Sequence, residues 1–185
     1  MSSFTFELIA GGSGSFDVIF IHGLSGDPRE TWTCATASNP DDAYWPLWVA
    51  QDIGTANVYA LGYPAELFVK WIEESMSLYE RAKAVLECLA GRDFGTRPIA
   101  VIAHSLGGLL TKQIIRTGLE SEDTDWQKIA KSIKFVAFLA TPHSGSSLAS
   151  VLNFVVTKLV SKHVKALEAG STMLDELNQS YRVQA

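Results

Sequence analysis

The chain has 185 residues, of which 47% are hydrophobic and 19% charged, with a formal net charge of −5. That length and apolar share suit one globular domain, residues 1–185, with a sizeable core. The acidic balance and the lack of a long Lys/Arg run exclude nucleic acid as the main partner.

In chain order, residues 4–10 read as a first strand, followed by the turn Gly11-Gly12-Ser13-Gly14-Ser15. Residues 16–21 form a near-continuous apolar run, the pattern of a strand covered on both faces. A long Gly-, Pro-, Asp- and Ser-rich loop is expected over 22–44, a short helix over 45–53, and a strand over 57–63 that Pro64 stops. Leu67, Trp71, Leu78, Ala82, Val85 and Leu89 recur at helical spacing and predict a helix over 67–90. A strand over 97–103, a helix over 106–118, a polar excursion with a short helix over 120–131, and a strand over 133–140 follow. Alternating strands and helices favour a parallel sheet with helices on both faces, an α/β fold. Residues 146–167 read as one or two amphipathic helices and 172–182 as another.

The stretch Val101-Ile102-Ala103-His104-Ser105-Leu106-Gly107-Gly108 carries the chemistry. An apolar strand runs into a small residue, a His, a Ser and two glycines, and a helical pattern follows, which is the layout of a nucleophile elbow. Ser105 is therefore the candidate nucleophile, and the backbone N–H of Leu106 the first candidate oxyanion donor. The usual pattern is Gly-x-Ser-x-Gly, and here Ala103 takes the place of the first glycine. His22-Gly23-Leu24-Ser25-Gly26 ends an earlier strand; the glycine allows a sharp turn that aims the Leu24 N–H at the same pocket. His22, Gly23, His104 and Gly107 are expected to line the site. Thr141-Pro142-His143-Ser144-Gly145 follows the next strand and should reach the same sheet edge. His143 either orders that loop or acts as a base. The four histidines, at 22, 104, 143 and 163, show no ligand spacing with each other or with cysteine, so neither metal nor cofactor is expected.

Residues 20–32 (Phe-Ile-His-Gly-Leu-Ser-Gly-Asp-Pro-Arg-Glu-Thr-Trp), 103–110 (Ala-His-Ser-Leu-Gly-Gly-Leu-Leu) and 138–146 (Phe-Leu-Ala-Thr-Pro-His-Ser-Gly-Ser) together resemble the α/β-hydrolase superfamily. Within it they are most similar to a lipase-like branch that includes SERAC and glycosylphosphatidylinositol-anchor deacylase domains. The resemblance covers residues 16–182 and implies acyl-ester hydrolysis, often of lipids. Ser105 would be the nucleophile, and Leu24 and Leu106 the oxyanion donors. It also implies an Asp or Glu and then a His after later strands. No later strand is found before Ala185, so the C-terminal part of such a domain is expected to be missing. Asp175 follows His163, the wrong order, and both lie in helical patterns. His143 paired with Asp27 is the internal substitute. Otherwise the chain belongs to a longer product, a second chain supplies the base, or the serine turn is a relic used for binding.

Residues 146–167 stand where lipases carry a lid. Phe154, Val155, Val156, Leu159 and Val160, with Lys158, Lys162 and Lys165 nearby, read as a surface for peripheral lipid contact or as a core face. Trp32, Trp45, Trp48 and Trp71 are candidates for an acyl pocket or for the core. Two cysteines, Cys34 and Cys88, are too few for a disulfide framework. The N-terminus shows no signal peptide and no apolar stretch reaches the roughly 18 residues of a span, so a cytoplasmic protein is expected. The expected function is a serine esterase or lipase-like hydrolase of a small-molecule or lipid ester. The alternative is a catalytically impaired interaction module of a larger signalling assembly, with a protein partner or oligomer covering the sheet edge.

Overall fold

The computed structural model describes residues 4–23, 26–36, 43–63, 76–143, 176–177 and 179–183. The elements are β1 (Thr5–Ala10), β2 (Phe16–Ile21), a 3-10 turn (Glu30–Trp32), α1 (Trp45–Asp52), β3 (Ala56–Gly62), α2 (Met76–Ala90), β4 (Ile99–His104), α3 (Leu106–Glu120), α4 (Thr124–Ser132) and β5 (Ile133–Leu139). Residues 176–177 and 179–183 are helical. The first half of the helix expected over 67–90, with Leu67 and Trp71, lies outside the described residues, as does the whole lid-like stretch 146–167. No helix among the described residues is long and apolar enough to cross a membrane.

The strands form one sheet in the order β1-β3-β2-β4-β5. β2, β3, β4 and β5 run parallel, as the strand–helix alternation predicts. β1 is the exception, because it pairs antiparallel with β3. The physical reason is length. Residues 11–15 can reverse the chain, but a parallel return needs a crossover of a dozen or more residues. The link passes over the start of β3. A Cβ on Gly11, at φ +100°, would lie 2.7 Å from the Ala56 carbonyl oxygen, so only glycine fits. The Asn57 side chain accepts from the N–H groups of Gly12 and Gly14, each at 2.7 Å, and donates to the buried Asp17 carboxylate at 2.8 Å.

Alternation splits the core in two. Val18 and Phe20 of β2 face Trp32, Tyr44 and the apolar side of α1. Ile19 and Ile21 face the other way, onto Leu78, Val85 and Leu86 of α2 and Leu106, Leu110 and Ile114 of α3. Covered on both faces, β2 and β3 are buried almost throughout, which is why they read as continuous apolar runs. β5, at the sheet edge, is only partly covered, and Phe135 is 59% exposed.

Candidate active site

Parallel pairing puts the C-terminal ends of four strands on one rim. Ile21 stands opposite both Leu61 and Ala103, and His104 stands opposite Leu139. The residues that follow these strands (His22, Tyr63, Ser105 and Ala140) therefore share that rim.

Ser105 joins β4 to α3 at φ 52°, ψ −118°, a conformation that side-chain-bearing residues rarely adopt. The surroundings hold it there. Its N–H donates to the Leu139 carbonyl at 2.7 Å, and its own carbonyl accepts from the Gly108 N–H at 3.1 Å. Gly23 presses on it from the β2 side: a Cβ built there would lie 2.9 Å from Ser105 Cβ and 3.2 Å from His104 Nδ1. The Ser105 side chain makes no capping hydrogen bond, so its hydroxyl is not consumed by the helix it precedes. Leu106, fully buried, opens α3, where the first-turn amides lack intrahelical acceptors. Gly107 and Gly108 let α3 close onto two turns at once. A Cβ on Gly107 would sit 2.5 Å from the carbonyl oxygens of both Ile21 and His22, and one on Gly108 would overlap the Thr141 side chain.

The three described histidines do different things. His22 is fully buried, and its ring stacks on Tyr63 at 4.3 Å. Its Nε2 accepts from the Tyr63 N–H at 3.2 Å, so Nδ1 carries the proton and donates to the Gly23 carbonyl at 2.8 Å. The Tyr63 hydroxyl returns a bond to the His22 carbonyl at 2.5 Å. Burial lowers the pKa of His22 and keeps the ring neutral. His104 ends β4 half-buried, edge-on to Trp32, and its buried Nδ1 has no hydrogen-bond partner among the described residues. Burial lowers its pKa too.

His143 is exposed, and its Nδ1 lies 2.9 Å from Lys112 Nζ. Lys112 is only 2% exposed, on α3, with its ammonium over the rings of Phe138 and Tyr181. Burial, helped by the positive charge of Arg182, pulls the Lys112 pKa down to about 8. At neutral pH the ammonium is donor-only, so His143 Nδ1 accepts and its ring proton sits on Nε2. Burial and the charges of Lys112 and Arg182 hold the His143 pKa below its usual value. Asp27 does not pair with His143. Its Oδ1 accepts from the N–H groups of Arg29 and Glu30, at 2.7 and 3.1 Å, at the start of the 3-10 turn.

The structure thus brings Ser105, Leu106, His22, Gly23, His104 and Gly107 to one rim. No hydrogen bond joins Ser105 to a histidine among the described residues. Leu24, His163 and Asp175 lie outside those residues. Trp32 and Trp45 belong to the core with Phe20, Trp48 is 45% exposed, and Trp71 is not described. Sequence reasoning missed Lys112, Thr141 and Tyr63. A lysine inside the apolar run Leu109-Leu110-Thr111-Lys112-Gln113-Ile114-Ile115 was the available signal, since burying an ammonium requires a purpose-built surrounding.

A mainly parallel sheet flanked by helices, with a serine at positive φ between strand and helix, is the arrangement of the α/β-hydrolase fold. The chain belongs to the family described as "Putative serine esterase (DUF676)", whose model matches residues 17–176. It is similar to Protein SERAC1 of Danio rerio, at 30% identity over 89% of this chain and 28% of that protein. Protein SERAC1 of Homo sapiens is 29% identical over 89% of this chain and 27% of its own length. The chain therefore spans little more than a quarter of these curated relatives. Among solved structures, esterase B from Lactobacillus rhamnosis aligns at 17% identity with a TM-score of 0.49, covering 94% of this chain and 53% of that one. The fold assignment stands on the sheet order and the family match.

Proposed function

We propose that the chain is a serine carboxylic-ester hydrolase acting on small-molecule or lipid esters, with Ser105 as nucleophile. The observation that carries this is the Ser105 backbone, φ 52° at a strand-to-helix junction, with a hydroxyl the helix does not use. Ser105 Oγ bonds to the ester carbonyl carbon while its proton passes to a general base. Collapse of the tetrahedral intermediate expels the alcohol with that proton. Water then attacks the acyl-serine, releases the acid and restores the hydroxyl. The Leu106 N–H, at the N-terminus of α3, meets the developing oxyanion, and the sequence motif assigns the second donor to Leu24.

The base is the open position. His22 has both ring nitrogens bonded to the backbone, and His143 Nδ1 is held by Lys112. Without a base, a serine hydrolase keeps only about 10³–10⁴-fold catalysis over water. A base from outside the described residues, on this chain or a partner, completes the mechanism. Cytoplasmic residence, a single domain over 1–185 and lipid contact through 146–167 belong to this proposal. A second reading is an interaction module that keeps the serine turn without turnover. It is favoured by the lack of a hydrogen bond from Ser105 to any histidine among the described residues and by the partly covered β5 edge with Phe135 outward.

A fluorophosphonate probe distinguishes them. The expected outcome is labelling of the folded chain, abolished in Ser105→Ala. A folded sample that takes no label sinks the hydrolase reading, and so does hydrolysis of a p-nitrophenyl ester that survives Ser105→Ala.

A further inference from the structure

The turn after β5 lies along α3 in a regular way. The Leu139 carbonyl takes the Ser105 N–H, the Thr141 side chain fills the space above Gly108, and His143 meets Lys112. Positions 105, 108 and 112 stand at i, i+3 and i+7, one stripe of a helix. Residues 139–143 thus form a strap laid down that stripe, with Ser105 bolted to its upper end and Lys112 to its lower end.

The strap is not relaxed. Ala140, directly after the Ser105 acceptor, sits at φ 51°, a left-handed conformation that is strained for a side-chain-bearing residue. Released, Ala140 would return to negative φ and turn the Leu139 carbonyl away from Ser105. Thr141 does not prevent this by hydrogen bonding, because its buried Oγ1 has no partner among the described residues. At the end of the strap His143 Nδ1 meets Lys112 Nζ at 2.9 Å. Lys112 is a buried ammonium over the rings of Phe138 and Tyr181, with Arg182 close by.

We propose that Lys112 is a positioning residue for Ser105, acting through His143 to hold the 139–143 strap and with it the backbone of the serine turn. This rests on the reading of Ser105 as nucleophile. It assigns His143 a holding role and removes it from the candidates for the base.

The experiment uses the full chain with two readouts. One is the fluorophosphonate reaction, resolved into kinact and KI. The other is the Ser105 amide resonance in 1H–15N spectra, which reports the bond to Leu139 whether or not the serine reacts. In Lys112→Met, kinact is expected to fall about tenfold or more with KI unchanged, because a small displacement of the attacking atom is enough. The Ser105 amide proton moves upfield, and the melting temperature does not drop, since an apolar chain replaces a buried charge. His143→Leu behaves the same way. His143→Asn, which keeps an acceptor near the Nδ1 position, stays within about threefold of the wild type, as a preserved hydrogen bond requires. Wild-type kinact with an unshifted Ser105 amide in folded Lys112→Met overturns the proposal, as does a His143→Asn chain as slow as His143→Leu. If Lys112→Met does not fold, the two substitutions at exposed His143 decide. If the wild-type chain takes no label, the nucleophile reading has failed, and the amide shift alone still tests the strap.

Discussion

The turns after β2 and after β5 both bring a histidine to the rim that holds Ser105, and they hold the serine turn by opposite means. The β2 turn is buried and made of backbone. His22 spends both ring nitrogens on main-chain partners, and its carbonyl and that of Ile21 press against Gly107. The β5 turn is half open and made of side chains, with Thr141 over Gly108 and exposed His143 on Lys112. One histidine is a buried part of the core and the other is exposed at the end of the 139–143 turn. Two motifs that look equivalent in sequence therefore carry different physical duties.

The largest expected effect that tests this contrast is at the glycine pair. Gly107→Ala drives a methyl into two main-chain oxygens that cannot move independently, and should cost about 3 kcal/mol in urea denaturation. Gly108→Ala meets the Thr141 side chain first, so Thr141→Ala in the same chain should recover most of its loss. Equal, uncompensated losses at both positions would erase the distinction. Next comes His22→Ala, expected to cost about 2 kcal/mol by leaving the Tyr63 N–H and Gly23 carbonyl without their ring partner. The same substitution has a pH signature. The pKa of His22 is lowered by burial, so the unfolded chain takes up a proton near 6.5 that the folded ring refuses. The neutral ring's contribution is complete above that pH and shrinks as pH falls toward the folded value. His22→Ala should flatten the loss of stability between neutral pH and acid, and an unchanged slope would show that His22 is not the group responsible. The smallest effect is expected at β5: Phe135→Ser, at 59% exposure, should stay within about 0.5 kcal/mol of the wild type.

Much of the fold was legible because the strands are short apolar runs and the helices carry clear stripes. Covered on both faces, β2 and β3 lack the period-2 signal, and β2 was legible from its near-continuous apolar run and β3 from the Pro64 that stops it. The direction of β1 was not legible, because a strand's own residues do not encode which neighbour it joins. It took the short glycine link and the Asn57 staple to show it. The serine turn was legible from Ala103 to Gly108, since the close approaches that require small residues leave glycines in the sequence. The roles of the histidines were not. The partners of an imidazole come from residues far away in the chain, Tyr63 for His22 and Lys112 for His143. Lys112 itself was passed over because a lysine on a helix is usually solvated.

The single stripe at positions 105, 108 and 112 makes α3 a ruler as well as a wall. Each residue advances a helix by about 100°, so one residue inserted between Gly108 and Lys112 would swing the ammonium a quarter-turn away from His143 while leaving the serine untouched. The same insertion past Glu120 would cost the rim nothing. Tolerance to length change along this helix should therefore end sharply at the lysine, seven residues from the chemistry it serves.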